Sequence, residues 1–419
     1  MSEFQIPYGK TFLEFALDVP RVELIAPAPI PALSDPARAV IDALNAPLDF
    51  DWSRFARTQS VAIAINDKTR PVPLAILLPP LAQKLASLDI PRNAITFIIA
   101  TGTHAPMRAD EFASVVPREI LDHYRVITHD CDDGANLVEL GTTTRGTRVH
   151  ANRVFVESDL RIAIGDIEPH QFMGFSGGVK AAAIGVAGRE TITRNHAWML
   201  DPKSYQGRYD DNPARQDVEE IGKMMGVHCA LNPVIDAQKK IVGVFAGEPV
   251  ATMRAGMLLA LDVYRVRVSA PFDLMIVSAG GHPKDINVYQ AQKALGHAIP
   301  VMKPGGTIIW IAACPEGTGS KQYEEFMRGV SSQSQVLERF AREPFRLGYH
   351  KAFQIARDAT RARVLMITEM PRELTSRLLL DKYDSLAAAL DLALRDLPRD
   401  ARIGVMPAGN VTIPEIFNF

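Results

Sequence analysis

The stretch VAIAINDKTRPVPLAILLPPLAQKLASLDIPRNAITFIIATGTH, residues 61–104, decides the fold. Two short runs, 61–65 and 94–100, are apolar nearly throughout, and the segment 74–86 between them has helical periodicity. Strands of this kind are buried on both faces, as in a parallel sheet that is covered by helices. The stretch therefore predicts a β-α-β unit of an α/β fold.

The same alternation of apolar strands and helices continues along the chain, and a new unit begins near residue 270. A chain of 419 residues is longer than one hydrophobic core usually organises. We therefore predict two α/β domains with mostly parallel sheets covered by helices. The predicted boundaries are 1–270 for the N-terminal domain, 271–405 for the C-terminal domain, and 406–419 for a tail that packs back on the N-terminal domain.

Composition excludes several classes of protein. The formal net charge of −2 gives no electrostatic basis for a nucleic-acid or membrane-surface partner. The three cysteines lie far apart without a CxxC motif, so we expect reduced thiols rather than a disulfide framework or a cysteine zinc site. The first residues have no signal-peptide pattern, and no apolar run approaches the roughly 20 residues that span a bilayer. These features predict a soluble, cytoplasmic protein.

Four polar turns each follow an apolar strand, at residues 67–70, 101–104, 168–180 and 279–293. Open α/β sheets bind their ligands at the carboxyl ends of the strands. Residues 201–215, in contrast, are polar and turn-rich, and we expect them to form a surface loop.

The first three turns carry groups that suit an acidic substrate. Arg70 can hold a carboxylate through its planar fork of donors. An unperturbed imidazole titrates near neutrality, so His104 and His170 are candidates for general acid–base catalysis. Structural explanations exist for each group as well, since Asp67 and Arg70 can form a local ion pair and a histidine at a strand end is often simply hydrogen bonded.

The third turn is rich in glycine and precedes a lysine. Backbone amides of residues 174–178 can present donors to a phosphate, but Ala181 follows Lys180 where a Walker loop has Ser or Thr. Lys180 can hold a phosphate or act as a nucleophile. His196 can ligate a metal, although no HExxH motif or carboxylate cluster accompanies it. Ordinary turn chemistry explains the glycines equally well.

The fourth turn leads into a helix on which Tyr289 and Lys293 are four residues apart and share one face, with Gln290 beside them. Their polar groups suit a hydroxy-carboxylate, and a solvated helix face is the plain structural alternative.

Taken in order, five motifs resemble the nickel-dependent lactate racemase family: DKTRPVP (67–73), ATGTH (100–104), EPHQFMGFSGGVK (168–180), NH (195–196) and GGHPKDINVYQAQK (280–293). The resemblance implies a two-domain α/β enzyme with its active site in the interdomain cleft. It implies a racemase or epimerase that inverts C2 of a 2-hydroxy acid by proton-coupled hydride transfer.

The resemblance also implies a cofactor, the nickel-pincer nucleotide (nickel pyridinium-3,5-bisthiocarboxylic acid mononucleotide), which is made by cofactor-biosynthesis proteins. The implied roles are covalent attachment through Lys180, nickel ligation by His196, acid–base catalysis by His104 and His170, cofactor binding by Asp67, and substrate binding by Arg70, Tyr289, Gln290 and Lys293. We assign the nucleotide phosphate to Ser176, Gly177 and Gly178.

Two positions depart from the pattern of lactate-specific members. Position 179 is Val where we expect a basic residue, and position 171 is Gln where an aromatic residue is common. The side chain of the substrate therefore stays open, from lactate to aromatic, dicarboxylic or sugar acids. Two alternatives stay open as well: an NAD-dependent 2-hydroxyacid dehydrogenase, for which the chain lacks a dinucleotide fingerprint, and a non-catalytic small-acid-binding protein.

Overall fold

The computed structural model describes residues 2–27, 29–70, 72–395 and 397–417, so Pro71 of the first motif lies outside the described residues. The chain divides into two compact units. The central unit is Pro29–Val263, and the terminal unit combines Met1–Ala28 with Tyr264–Phe419. The α/β class is confirmed in both units. Residues 1–28, which the sequence analysis placed in the N-terminal domain, instead belong with the C-terminal part of the chain.

Hydrophobic packing and strand pairing explain this difference. Strands β1 (Ser2–Tyr8) and β2 (Thr11–Leu17) form an antiparallel hairpin, and a third strand, β3 (Val22–Leu24), follows. Ile6 and Leu17 of the hairpin are fully buried in one hydrophobic cluster with Leu274 and Ile276 of the terminal unit. Each such side chain contributes roughly 1.5–3 kcal/mol on burial, which fixes the hairpin in this unit.

The central unit is built on one six-stranded sheet with two small hairpins beside it. Its strands are β4 (Val61–Asn66), β5 (Ile95–Ala100), β6 (Arg125–Thr128), β7 (Leu137–Thr142), β8 (Arg148–Asn152), β9 (Leu160–Ile164), β10 (Pro169–His170), β11 (Gly174–Phe175), β12 (Cys229–Ile235) and β13 (Ile241–Gly247). Its helices are α1 (Pro36–Asn45), α2 (Leu74–Ala86), α3 (Arg118–His123), α4 (Arg153–Val156), α5 (Lys180–Ala183), α6 (Arg189–Ala197), α7 (Pro213–Met224) and α8 (Pro249–Tyr264).

The sheet of the central unit has the strand order β13-β12-β9-β4-β5-β6. All neighbours are parallel except β13, which runs antiparallel to β12. Every residue of β4 is buried, and side chains of α1, α2 and α3 share one hydrophobic cluster with the sheet. This arrangement places the carboxyl ends of β9, β4 and β5 side by side at one edge.

The half-buried His228 of this unit is expected to make the stability of the fold depend on pH. The backbone N–H of Arg161 donates to Nδ1 of His228 at 3.2 Å, and Nη2 of the same arginine lies 3.2 Å from Nε2. Burial and then the charges of Arg161 and Arg54 lower the pKa of His228 to about 4. In the unfolded chain the pKa of His228 has its ordinary value of about 6.5. Between about pH 6.5 and pH 4 the imidazole is therefore protonated in the unfolded chain and neutral in the folded chain.

We therefore expect the free energy of unfolding to fall as the pH drops through that window, with no contribution from His228 above it. Urea unfolding at about pH 7 and about pH 5 measures the effect. A His228→Gln variant should lose less stability between the two pH values than the unchanged chain. An equal loss in both would show that His228 does not carry the dependence.

The terminal unit has its own six-stranded sheet, which is parallel throughout, with the order β18-β17-β16-β15-β19-β3. Its further strands are β14 (Arg265–Val268), β15 (Phe272–Ser278), β16 (Met302–Ile311), β17 (Arg363–Ile367), β18 (Asp381–Tyr383), β19 (Ile403–Met406) and β20 (Ile413–Ile416). Its helices are α9 (Val288–Ala298), α10 (Lys321–Phe326), α11 (Gln333–Arg342), α12 (Tyr349–Arg361), α13 (Arg372–Arg377) and α14 (Leu386–Arg395).

The C-terminal tail is part of the terminal unit. Its strand β20 pairs in parallel with β14, with Ile413 opposite Arg265. Its strand partner β14 belongs to the terminal unit, although residues 265–268 lie within the predicted N-terminal boundary of 1–270, and the packing of the tail on the N-terminal domain stays a prediction. None of the helices in the described part of the chain combines the length and the apolar character needed to cross a lipid bilayer.

Candidate active site

The predicted polar turns of the central unit meet at one edge of its sheet. Asp67 and Arg70 follow β4, His104 follows β5, and residues 165–180 follow β9. These three strands are neighbours and parallel. The turns therefore leave the sheet on the same side, as expected for a ligand site of an α/β sheet.

Asp67 and His104 form a hydrogen-bonded pair, with 2.7 Å between Oδ2 of the carboxylate and Nδ1 of the imidazole. Asp67 is only 4% exposed, whereas the His104 side chain is 42% exposed. Burial raises the pKa of Asp67, but the hydrogen bonds and charges of His104, Thr69 and Arg70 outweigh it, so the pKa is lowered overall. An ionised carboxylate only accepts, so Nδ1 of His104 carries the proton and Nε2 of the neutral ring is an acceptor.

His170 has the opposite hydrogen-bonding pattern. It lies buried on β10, and the backbone N–H of Met173 donates to its Nδ1 at 3.3 Å. A ring nitrogen that accepts carries no proton, so in the neutral ring the proton of His170 sits on Nε2. The two predicted catalytic histidines thus differ in tautomer: in the neutral ring, Nε2 of His104 can accept a hydrogen bond and Nε2 of His170 can donate one.

The ring of Phe172 contacts both His170 and His196. Its ring centroid lies 4.8 Å from that of His170 and 5.1 Å from that of His196, and both contacts are edge-to-face. His196 is near the end of α6, where the preceding residue, Asn195, anchors the helix by donating to Asp217 Oδ2 at 2.9 Å and to the Ala214 carbonyl at 3.0 Å. In the NH motif, Asn195 therefore fixes the helix by hydrogen bonds, and His196 contributes a half-buried imidazole.

The glycine-rich turn is held by hydrogen bonds within the protein. The amide of Ser176 donates to the Glu168 carbonyl at 2.8 Å, and the amide of Gly178 donates to Asn232 Oδ1 at 2.9 Å. Because these two backbone amides already donate within the protein, they are not donors to a phosphate in this conformation. The Ser176 hydroxyl is buried and has no hydrogen-bond partner among the described residues, so it can form a hydrogen bond with a ligand. Lys180, equally buried, begins α5 directly after this turn.

Gly174 is required by both conformation and space. Its φ is +73°, and a Cβ there would lie 1.6 Å from the backbone oxygen of Arg208. We expect Gly174→Ala to lower the free energy of unfolding by about 2–4 kcal/mol, because backbone must move and the left-handed conformation is strained. Denaturant unfolding measures the change.

Gly134→Ala is the matched control in the same unit, because a Cβ at Gly134 meets nothing within 4 Å. The control should unfold as the unchanged chain does. A Gly174→Ala variant as stable as this control would refute the close approach of the two backbones.

Arg215 is the residue of this site that sequence analysis missed. The segment 201–215 was predicted to be a surface loop, but Arg215 lies on α7 and is fully buried. It donates to the carbonyls of Phe175 at 3.1 Å and Gly177 at 3.2 Å and pairs with Glu219. An arginine four residues before a glutamate is typical of a solvated helix face, so the sequence offers no signal of this role.

In the terminal unit, the predicted substrate residues share the start of α9. Asn287 caps the helix by accepting from the Gln290 amide at 3.1 Å, and Lys293 Nζ donates to Gln290 Oε1 at 2.9 Å. The ring of Tyr289 meets that of His350 of α12 edge-on, with centroids 5.6 Å apart. The predicted location of the active site in an interdomain cleft stays a prediction.

Comparison with known proteins finds a family match for the N-terminal part and for the C-terminal part of the chain. The model of the lactate racemase N-terminal domain matches residues 8–207, and that of the lactate racemase C-terminal domain matches residues 268–413. The chain is 29% identical to the lactate racemase of Thermoanaerobacterium thermosaccharolyticum over 98% of both chains. It is 32% identical to the lactate racemase of Lactiplantibacillus plantarum over 68% of this chain and 67% of that protein.

Solved structures agree with these matches. The lactate racemase apoprotein from T. thermosaccharolyticum superposes with a TM-score of 0.91 at 28% identity, covering 99% of this chain and 100% of that one. A protein from Thermotoga maritima, 18% identical, has a TM-score of 0.69 over 92% of this chain and 99% of its own, and shares the fold. The chain therefore belongs to the lactate racemase family and is an isomerase of the racemase type.

Proposed function

We propose that the protein inverts the C2 centre of a 2-hydroxy acid, with lactate as the first candidate, using a nickel-pincer nucleotide cofactor. The observation that supports this most directly is the pair of opposite histidine tautomers. A racemase that passes through a flat keto acid needs one group to accept the hydroxyl proton and another to return a proton. His104 and His170 are arranged for these two tasks.

The chemistry of the donor groups fits the cofactor. Lys180 offers a buried amine for covalent attachment, and Ser176 offers a buried hydroxyl without a partner among the described residues. The imidazole of His196 suits nickel. Among the described residues, the one cluster of three possible protein ligands is Asp130, Cys131 and Asp132, so His196 belongs to no such cluster. A nickel ion at His196 would therefore take other ligands from the cofactor, which supplies the acceptor and donor of the α-hydride when bound.

The residues of the chain then manage the proton and the orientation of the substrate. Nε2 of His104 accepts the hydroxyl proton of one enantiomer, while Asp67 keeps its ring in the required tautomer and stabilises the imidazolium that forms. When the opposite enantiomer is made, His170 returns a proton from Nε2 of its protonated ring to the carbonyl oxygen and becomes neutral, while His104 keeps the proton that it accepted; the reverse reaction exchanges these two states. We propose that Arg70 and Lys293 hold the substrate carboxylate, and that Tyr289 and Gln290 complete the binding set.

The two departures from the lactate-specific pattern leave the substrate side chain open. Val179 is buried against α7, where its methyl groups lie 2.6–2.7 Å from the place of a Cβ on Gly222. Position 179 thus carries a small apolar side chain that packs against Gly222 of α7, where a basic residue is expected in lactate-specific members. Gln171, beside His170, keeps a buried amide oxygen without a partner among the described residues. We therefore extend the proposal from lactate to larger 2-hydroxy acids.

The test uses the full chain produced together with the cofactor-biosynthesis proteins. Single enantiomers of lactate and of aromatic, dicarboxylic and sugar 2-hydroxy acids are incubated without NAD, and chiral chromatography follows the appearance of the other enantiomer. Inversion of one of these acids supports the proposal. An absolute requirement for NAD would replace it with a dehydrogenase. Tight acid binding by a chain that never gains the mass of the cofactor would replace it with a non-catalytic binder.

A further inference from the structure

Behind the predicted substrate residues of α9 lies a lysine that sequence analysis did not identify. Lys351, on α12, is 1% exposed. Its Nζ donates to Gln292 Oε1 of α9 at 3.0 Å and lies 4.6 Å from the centroid of the Tyr289 ring. One amine therefore contacts two neighbouring residues on the helix that carries Lys293.

Burying an amine between two helices costs free energy. Lysine is almost never fully buried, because an amine loses its hydration there. An unbranched apolar side chain of similar length would join α9 and α12 without that cost, and such replacements of buried charged groups are often neutral or stabilising. Packing alone therefore does not explain Lys351, whereas a directed N–H donor does.

The charges around Lys351 allow a neutral amine. Burial first, and then the positive charge of Lys293, lower its pKa well below the ordinary value, while Asp358 acts in the opposite direction. Asp358 is itself engaged by Arg357, with 2.8 Å between Nη2 and Oδ1, and the buried ring of His350 faces Tyr289 from the same helix. The lowered pKa of Lys351 makes its amine easier to deprotonate beside Lys293, whose positive charge is the one that a carboxylate needs.

We propose that Lys351 is a positioning residue for substrate binding, which fixes Gln292 and the ring of Tyr289 so that the first turns of α9 present Tyr289 and Lys293 to the acid. The inference rests on the proposed function, because it takes Tyr289 and Lys293 as substrate residues. It adds to that function a residue on a second helix that touches no substrate and acts through α9.

The experiment measures kcat and KM for the best 2-hydroxy acid with the cofactor-loaded full chain. Lys351→Met keeps the length and removes the donor, and Lys351→Gln keeps an N–H donor without an amine. We expect Lys351→Met to raise KM by about ten- to a hundredfold, the size of effect that misplaced binding groups have. We expect kcat to change less than KM, and Lys351→Gln to recover part of the loss.

The control is Ile355→Val, which removes one buried methylene one turn further along α12. It should leave KM unchanged. An unchanged KM in a folded Lys351→Met variant, or an equal rise in Ile355→Val, would overturn the inference. If Lys351→Met does not fold, Gln292→Leu removes the same contact from α9 and should raise KM equally.

Failure of both variants to fold would assign the contact a purely structural role and would overturn the inference too. The proposed function is tested separately in the unchanged chain. If the unchanged chain inverts no acid, the proposed function fails. If it inverts one and KM is the same in the folded Lys351 variants, only the inference about Lys351 fails.

Discussion

A Lys180→Ala variant is expected to fold, to carry no covalent cofactor and to lose racemisation completely. Lys180 offers a buried amine at the start of α5, directly after the turn that presents the Ser176 hydroxyl. An alanine has no nitrogen through which a cofactor could be attached. The cofactor carries the hydride chemistry and the protein contributes orientation and charge, so no slower route through the side chains remains. Mass spectrometry of the intact chain and chiral chromatography measure the two losses.

Lys203→Ala is the matched control, since Lys203 is an exposed lysine of the same unit. It should gain the same added mass as the unchanged chain and keep its activity. Activity that survives Lys180→Ala, or an added mass that stays in it, would refute the assignment of Lys180. A variant that keeps the added mass but loses activity would point to an attachment elsewhere and a different task for this amine.

Replacing Asp67 by asparagine is expected to lower kcat by about 10²–10⁴, the range for loss of a well-placed acid–base group. The carboxylate of Asp67 accepts from Nδ1 of His104 at 2.7 Å. Asparagine can instead donate to that nitrogen, which would move the proton to Nε2 and remove the acceptor. Because the substituted side chain has the same shape, the fold should persist. The loss should be greater for the enantiomer whose hydroxyl faces His104, so both directions are measured by chiral chromatography.

The control for Asp67→Asn is Glu111→Gln, which removes another ion pair near this edge, between Glu111 and Lys68. It should leave kcat within about twofold, because partly exposed pairs contribute little. An Asp67→Asn variant as active as this control would refute the role of the Asp67–His104 pair.

The Asp67–His104 pair also has a pH signature. The pKa of Asp67 is lowered in the folded chain, so its stabilisation is fully present above the ordinary carboxyl value and is lost as pH falls through the lowered pKa. Asp67→Asn should remove that acid-sensitive part of the free energy of unfolding.

Local patterns in the sequence predict most of the strands and the polar turns after them. An apolar run such as 61–65 announces a buried strand by itself, and the polar residues that follow it then lie at the sheet edge. The pairing of β3 with β19, in which Leu24 lies opposite Val405, joins the two ends of the chain. No local pattern encodes such a partner, and this is why residues 1–28 were placed in the wrong unit.

The site residues also fall into those that local sequence patterns predict and those that depend on the fold. Residue types at strand ends indicated His104, His170 and Lys180, but the hydrogen bonds that give the two histidines different tautomers depend on residues brought together by the fold. Arg215 and Lys351 lie on helices whose sequence is typical of solvated or amphipathic faces. Their burial is decided by which helix packs on which strand, and spacing alone does not show it.

The terminal unit is assembled from both ends of the chain, and this has a consequence for the order of folding during synthesis. A ribosome releases Met1–Ala28 before the central unit, yet the strands that these residues pair with and the side chains that bury Ile6 and Leu17 come after the whole central unit. The central unit is contiguous, so it can fold while the chain is still growing. Its termini are then held close to their native places, which shortens the search by which the two separated parts of the terminal unit find each other. The β1–β2 hairpin is therefore made before the central unit but becomes stable only after the strands that follow that unit have been made.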